Sequence, residues 1–420
     1  MSATTEHTSE KTPAQEPSQF AGVFREIMAG GVVRTLLAIV LAFAVGSILI
    51  VVTNEGVIES SGYFFSRPAD TLGAAWEAVS NAYSALFRGS IYNYEAKTFE
   101  ASVRPITETL RFAGPLIAAG LGIALGFRVG MFNIGGTGQL LMGAAFAAFA
   151  SFQFHLPYGI HLVVALLFGL LGAGLWAGLV GFLKAKTGAH EVIVTIMLNY
   201  IAISLVTFFM RTPVLHDMND GNNPSTRSPD PTAQLPKILG DDFLLHLGFP
   251  LALISVGVFW WLMERSTVGF RLRMVGLNPD AARTAGINVN NVYILAMVFS
   301  GLFVGLAAVN QALGRTGSFS PSIDAGIGFD AITVALLGNS TAVGVLLAGL
   351  LFGAMKAGGP AMQVADVAPE VLSVVQGLIV LFIAAPPLIR ALFRLPKPAP
   401  VAEVKRAKRI PRIKGEGLVK

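Results

Sequence analysis

The sequence predicts an all-α polytopic membrane protein of about ten transmembrane helices, with both termini on the cytoplasmic side. Three observations carry this. Only 13% of the 420 residues are charged, where a soluble globular domain has about 25%. Apolar runs long enough to cross the hydrocarbon core, roughly 20 residues, recur along the chain. They are continuous rather than alternating, which argues against a transmembrane barrel. Lys and Arg concentrate in a few of the links between runs, and such links mark the cytoplasmic side.

Residues 1–25 begin with the polar, proline-containing MSATTEHTSEKTPAQEPSQF and are expected to be disordered. They lack the basic n-region of a signal peptide, so the first apolar run, 35–53, is read as a retained anchor. A polar stretch, 54–108, follows and carries the helical pattern TLGAAWEAVSNAYSALF. Further runs cover 109–128, 136–153, 158–182 (ending at Lys184 and Lys186) and 192–210. A connector over 211–243 is rich in Asp, Asn and Pro, and its acids outnumber its bases. The run at 246–263 leads into an arginine-rich segment, 264–291, with Arg265, Arg271, Arg273 and Arg283. After 292–313 come three shorter, glycine-broken apolar segments, 328–338, 342–358 and 370–391, and then a basic tail, 396–420. Charge places the N-terminus, 184–186, 264–291 and the tail inside, and 54–108 and 211–243 outside. Ten crossings satisfy every link. Eight do so equally if two of the short C-terminal segments are re-entrant.

Several chemistries are excluded by what the chain lacks. It has no cysteine, hence no disulfide or thiolate site. No G-x-x-x-x-G-K-[ST] loop occurs, the six histidines are scattered without metal-ligand spacing, and no Ser-His-Asp set is visible. The chain therefore does not read as an enzyme, and nucleotide energy must come from another polypeptide. Much of the net charge of +5 lies in the tail, read as a solvated cytoplasmic end and not as a nucleic-acid surface.

One stretch is poor helix material where helix is expected. FNIGGTGQ, 132–139, lies between two apolar runs, and irregular backbone at membrane depth is tolerated only against protein or beside a watery cavity. Gly135, Gly136 and Gly138 suit a hinge, and Asn133 and Gln139 supply neutral hydrogen-bonding groups. Asn199, Asn310 and Gln311 are further neutral polar residues in apolar surroundings. Two readings stay open for such amides: contact with a small neutral solute, or bridging between helices. For the pair flanking the glycines, solute contact is favoured. Ionisable residues near the membrane, Glu108, Glu191, Asp330 and Lys356, are expected close to span ends.

Within the arginine-rich segment, LNPDAARTAGI (277–287) has the grammar of a short capped helix. Asn278 caps it, Pro279 is its first residue and Asp280 lies in its first turn. Ala281, Ala282 and Ala285 form a small-residue face beside Arg283, and Gly286 stops the helix. From these residues alone, a docking element and an ordinary linker are equally good readings.

FNIGGTGQLLMGA, HEVIVTIMLNYIA, GLNPDAARTAGINV and GFDAITVALLG stand in an order and spacing that resembles a known family. The chain is similar to the membrane permease subunit of bacterial ABC importers for ribose, branched-chain amino acids and nucleosides, most of all the nucleoside branch that works with basic-membrane lipoproteins. The resemblance covers about 105–392. GNSTAVG (338–344) departs from it where similar chains often have Arg-Asn-x-Pro. The resemblance implies a type II importer-like permease domain over 26–395 in the cytoplasmic membrane, moving a nucleoside or a simple sugar. It implies a cytoplasmic ATPase that holds the ATP, so that this chain binds no cofactor or metal. It also implies a second, related permease and an extracellular substrate-binding lipoprotein. The 278–286 helix becomes the coupling element that enters the ATPase, and 133–139 the flexible polar segment at the translocation gap. An ion-coupled carrier is the rival reading.

Overall fold

The computed structural model describes residues 31–216, 224–314, 317–385 and 392–393; the expected disordered N-terminus, 1–25, and basic tail, 396–420, lie outside them. Every regular element among these residues is helical. Among the described residues no strand forms, and the extended pairings are two isolated bridges, His216–Thr226 and Lys237–His246. The helices are α1 Gly31–Thr53, α2 Glu55–Ser61, α3 Pro68–Ser90, α4 Phe99–Arg128, α5 Gly136–Gln153, α6 Ile160–Thr187, α7 Glu191–Phe209, α8 Gly248–Trp260, α9 Thr267–Leu277, α10 Pro279–Thr284, α11 Val289–Leu313, α12 Ile327–Leu337, α13 Ala342–Val364 and α14 Pro369–Ala384. A π turn, Trp261–Arg265, extends α8, and 3₁₀ turns occupy Pro231–Ala233 and Pro321–Asp324. Two units divide the chain: 42–380, and 1–41 with 381–420. The described part of the smaller one is the first half of α1, the last turn of α14 and residues 392–393.

The protein is an all-α polytopic membrane protein. Among the described residues, six helices are long and apolar enough to cross a bilayer, and α8 with α9, bent by 70° at Ser266, makes a seventh candidate. Each expected apolar run became a helix, but not every one has spanning length. α12 has 11 residues, about 16 Å at 1.5 Å per residue, against a core of about 30 Å. It cannot cross alone.

α4 sits at the centre of the larger unit and packs against α8, α11, α12 and α13, while α6 packs against α5 and α11. The small residues of AAGLGIALG in α4 and GLLGAG in α6 let these backbones approach closely. α4 begins ten residues before its expected start because Thr98 caps it, accepting from the Ala101 amide. The polar stretch 54–108 also folds: α3 carries the TLGAAWEAVSNAYSALF pattern, and Ala82 joins Ile50, Met362, Val367 and Val371 in one apolar cluster.

Hydrogen bonds sort the helix ends of this unit into two faces. At the basic face, Glu264 takes Arg128 at 2.7 Å and Arg273 at 2.6 Å, and Arg128 Nε donates to the Ser340 carbonyl at 3.1 Å. At the other, the connector ties down helix ends: the Asp230 amide donates to Ser151 O at 3.1 Å, and Leu235 N to Leu313 O at 2.9 Å.

Candidate translocation site

The FNIGGTGQ stretch breaks the backbone at middle depth. Residues 131–134 are non-helical between α4 and α5. They lie beside Asn199, halfway along α7, and Ser300, halfway along α11. The side-chain amides at the break, those of Asn133, Gln139 and Asn199, are each held. Asn133, with no solvent exposure, donates to Ser300 Oγ at 2.9 Å and accepts from Gly135 N at 2.8 Å and Gln139 Nε2 at 3.1 Å. Ser300 in turn donates to Gly122 O of α4 at 2.7 Å. Asn199 Oδ1 accepts from Gly138 N at 2.8 Å, and its Nδ2 donates to Ile134 O at 2.9 Å. These bonds substitute for the helical partners that the break forfeits. Where the chain enters the break, Glu191 receives the Phe132 amide at 3.5 Å and Lys184 at 2.6 Å.

The glycines act here through close approach, not unusual dihedrals; none of the three has a positive φ. A methyl on Gly136 would meet Gly328 O at 2.7 Å, and one on Gly138 would meet Asn199 Oδ1 at 2.9 Å and Trp176 Nε1 at 3.1 Å. Gly136 thus marks the crossing of α5 with α12. Trp176 Nε1 is buried there with no acceptor.

A second break starts α12. Asp324 accepts from Gly328 N at 3.0 Å and from Thr137 Oγ1 of α5 at 3.3 Å. The two interrupted helices therefore begin against each other. Asp330 pairs with Lys356 of α13 at 2.8 Å, and Lys356 also donates to Ala325 O at 3.0 Å. Lys356 was expected near a span end. It is instead interior to α13, which continues through Gly358, Gly359 and Pro360 to Val364. An ion pair inside a membrane helix layer is costly and commonly functional.

Asn310 and Gln311 lie away from this crossing, near the C-terminal end of α11. Asn310 donates to Gly248 O at 3.3 Å and Leu306 O at 3.1 Å, leaving its own carbonyl oxygen without a partner. Gln311 donates to Ile323 O at 3.1 Å and lines a cavity of about 930 Å³ at the connector face. Arg111, Gln234, Lys237, Asp241, His246 and Ser318 supply its other polar side chains, Phe112 and Tyr158 its rings, and Ala325 reaches it from the second break. Burial, and then the Arg111 charge, push the His246 imidazole down to about 4, so it stands neutral. All five amides singled out from sequence are thus engaged within the chain: three at the crossing, Asn310 buried against α8, and Gln311 at the connector-face cavity. Ser300, Thr137, Asp324, Trp176 and the Asp330–Lys356 pairing were missed. Asp330 and Lys356 had been noted as charges but not as a pair, and Asp324 was visible as a charge in apolar sequence; the others gave no signal.

The capped helix is present. Asn278 accepts from the Asp280 and Ala281 amides, both at 3.0 Å, and Asp280 pairs with Arg283 at 3.1 Å on the surface. Gly286, at φ 82°, stops the helix, and Ile287 N reaches back to Ala282 O at 3.0 Å. The alanine face is divided: Ala282 is buried in the chain, while Ala281 and Ala285 are exposed. Behind this helix, α9 carries Arg273 to Glu264, which is shared with Arg128 at the end of α4.

Two interrupted helices thus cross between a polar cavity at one face and a basic face at the other of a multi-pass helical membrane protein. Its family follows from comparison: residues 106–384 match the model described as branched-chain amino acid transport system, permease component, and the chain belongs to that family. The guanosine ABC transporter permease NupP of Bacillus subtilis is 36% identical over 84% of this chain and 93% of its own. The nucleoside ABC transporter permease NupB of Lactococcus lactis is 34% identical over 73% of this chain and 86% of its own. The glucose ABC transporter permease TsgB13 of Haloferax volcanii is 34% identical over 66% and 75%. No solved structure matches the chain.

Proposed function

We propose that this chain is the transmembrane permease subunit of an ATP-binding cassette importer in a bacterial cytoplasmic membrane, and that its cargo is a neutral nucleoside. The observation that carries the reading is the 36% identity to a guanosine permease across 84% of this chain and 93% of that one. The site is compatible with it. The outer cavity offers neutral amides, a neutral imidazole and two rings, which suit the hydroxyls and base of such a solute. The glucose relative supports a simple sugar as the second reading.

In this account the basic face is cytoplasmic and the cavity face is outside. The chain crosses ten times, with α12 supplying the inner half of one crossing. An external binding lipoprotein delivers the cargo to the cavity, a second permease completes the pathway, and two ATPase domains provide the energy; this chain itself holds neither nucleotide nor metal. Closure of the ATPases pushes the 278–286 helix. α9 passes the displacement through Arg273 and Glu264 to Arg128, which holds both the end of α4 and the Ser340 carbonyl beyond α12. The same arginine thereby reaches the two interrupted helices, and the crossing at Gly136 and Gly328 is where the pathway opens and closes. The Asn133–Gln139 segment is its flexible polar wall.

The test is uptake of radiolabelled guanosine by cells carrying the complete importer, with and without this gene. Loss on deletion, restoration by the gene, and dependence on the partner ATPase are expected. Transport by this chain alone in ATPase-free liposomes would overturn the reading.

A further inference from the structure

A second cavity, of about 750 Å³, lies between α6, α8 and α11 and takes no part in the pathway described above. Its wall is almost wholly hydrocarbon: Leu166, Leu170, Ile254, Val258, Leu302 and Leu306 are representative. At one end stand Arg265, Ser266 and Thr267, at the 70° bend where α8 gives way to α9. Trp260 and Trp261 are both exposed beside it. Paired tryptophans of this kind mark the headgroup level of a bilayer, so the bend lies where chain leaves hydrocarbon for the cytoplasmic interface.

Arg265 has no carboxylate among the described residues. Its guanidinium rests over the Trp260 ring, 5.4 Å from the centroid, and the adjacent Glu264 is already shared by Arg128 and Arg273. From Leu251 to Arg265 the groove follows α8 for about 21 Å at 1.5 Å per residue, the reach of one acyl chain within one leaflet and slightly beyond. An apolar slot of that length, closed at headgroup level by an uncompensated cation and two hydroxyl side chains, has the charge and polarity profile of one lipid molecule.

We infer that the α6–α8–α11 groove is a binding site for an anionic phospholipid of the cytoplasmic leaflet, its phosphate at Arg265 and Thr267 and one acyl chain along Ile254, Leu302 and Leu306. The lipid would fill the space outside the α8–α9 bend, and it would brace the arm that carries the coupling helix.

The test uses the complete importer, purified from nanodiscs containing equal phosphatidylglycerol and phosphatidylcholine, with retained lipid counted by native mass spectrometry. Wild type is expected to keep phosphatidylglycerol in preference to phosphatidylcholine. Arg265→Gln should lower that ratio about fivefold, the factor that one near-surface cation supplies, and Arg265→Lys should restore most of it. Ile254→Trp, which fills the groove from a position already 62% exposed, should lose both lipids while the complex stays monodisperse. An unchanged ratio in Arg265→Gln would overturn the inference. So would capture of a protein chain, in place of lipid, by a photo-crosslinking residue at position 254.

Discussion

Gly136→Ala tests whether the two interrupted helices cross as described. The added methyl meets three backbone atoms of one residue: Gly328 O at 2.7 Å, Cα at 3.1 Å and C at 3.2 Å. No rotamer relieves this. To move the oxygen from 2.7 Å to the 3.4 Å at which ordinary contact begins, α12 must recede by about 0.7 Å. That displacement stretches the Thr137–Asp324 bond, already 3.3 Å, past hydrogen-bonding reach. Overpacking of this kind costs about 1–3 kcal/mol, and a chain of 420 residues, at about 2.1 cal/mol/K of unfolding entropy per residue, loses roughly 1 °C of melting temperature per kcal/mol. The measurements are the melting temperature of the detergent-purified importer and initial-rate guanosine uptake. Gly257→Ala in α8 is the control, since its methyl would meet nothing within 4 Å and alanine is the better helix former by about 1 kcal/mol. A melt lowered by about 1–3 °C, with impaired uptake, is expected for Gly136→Ala and neither for Gly257→Ala. A Gly136→Ala protein that melts and transports like wild type would refute the crossing.

Further expectations concern the arm, the ion pair and the outer cavity. Glu264→Gln should leave ATP hydrolysis in place but lower the uptake obtained per ATP, because Arg128 and Arg273 lose their shared carboxylate; an unchanged transport-to-hydrolysis ratio would remove the relay. Ala285→Glu alters an exposed position, so the protein should insert normally while uptake falls by at least tenfold. Normal uptake in that variant would rule out docking there. Lys356→Met strands Asp330 and should destabilise by up to about 3 kcal/mol, the low end for a buried pair because each partner keeps some exposure, while the double variant with Asp330→Leu regains most of the loss; denaturant titration of all three reads this. His246 is held down to about 4 from 6.5, so the folded state refuses a proton that the unfolded chain accepts. Its contribution is complete above pH 6.5 and is lost as pH falls towards 4, about 3 kcal/mol in total. His246→Gln should flatten the melting profile over that window, and an unaltered slope would exclude His246 as its source.

The architecture was legible because membrane helices announce themselves through continuous apolar runs and charge bias. Asn278 as a cap, Pro279 as a first residue and Gly286 as a stop were readable for a local reason: the whole device lies within nine residues. What stayed hidden depends on contacts distant in sequence. The 328–338 run looks the same whether it spans or only half-spans, and its depth is set by Gly136 and Thr137, nearly two hundred residues earlier. Lys356 appeared terminal because Gly-Gly-Pro follows it, yet Gly358 packs against Leu86 of α3 and the helix runs on. Asn133 was recognised as a polar group in the right place, but its partner Ser300 is 167 residues away. No local pattern indicates that the amide is spoken for.

Competition against guanosine uptake tests the central claim most directly. Cells expressing the complete importer take up labelled guanosine while unlabelled nucleosides, simple sugars or branched-chain amino acids are added in excess. Suppression by nucleosides alone, abolished when the partner ATPase is inactivated, is the result expected. Suppression by glucose or ribose and not by nucleosides, or uptake that survives loss of the ATPase, would contradict it.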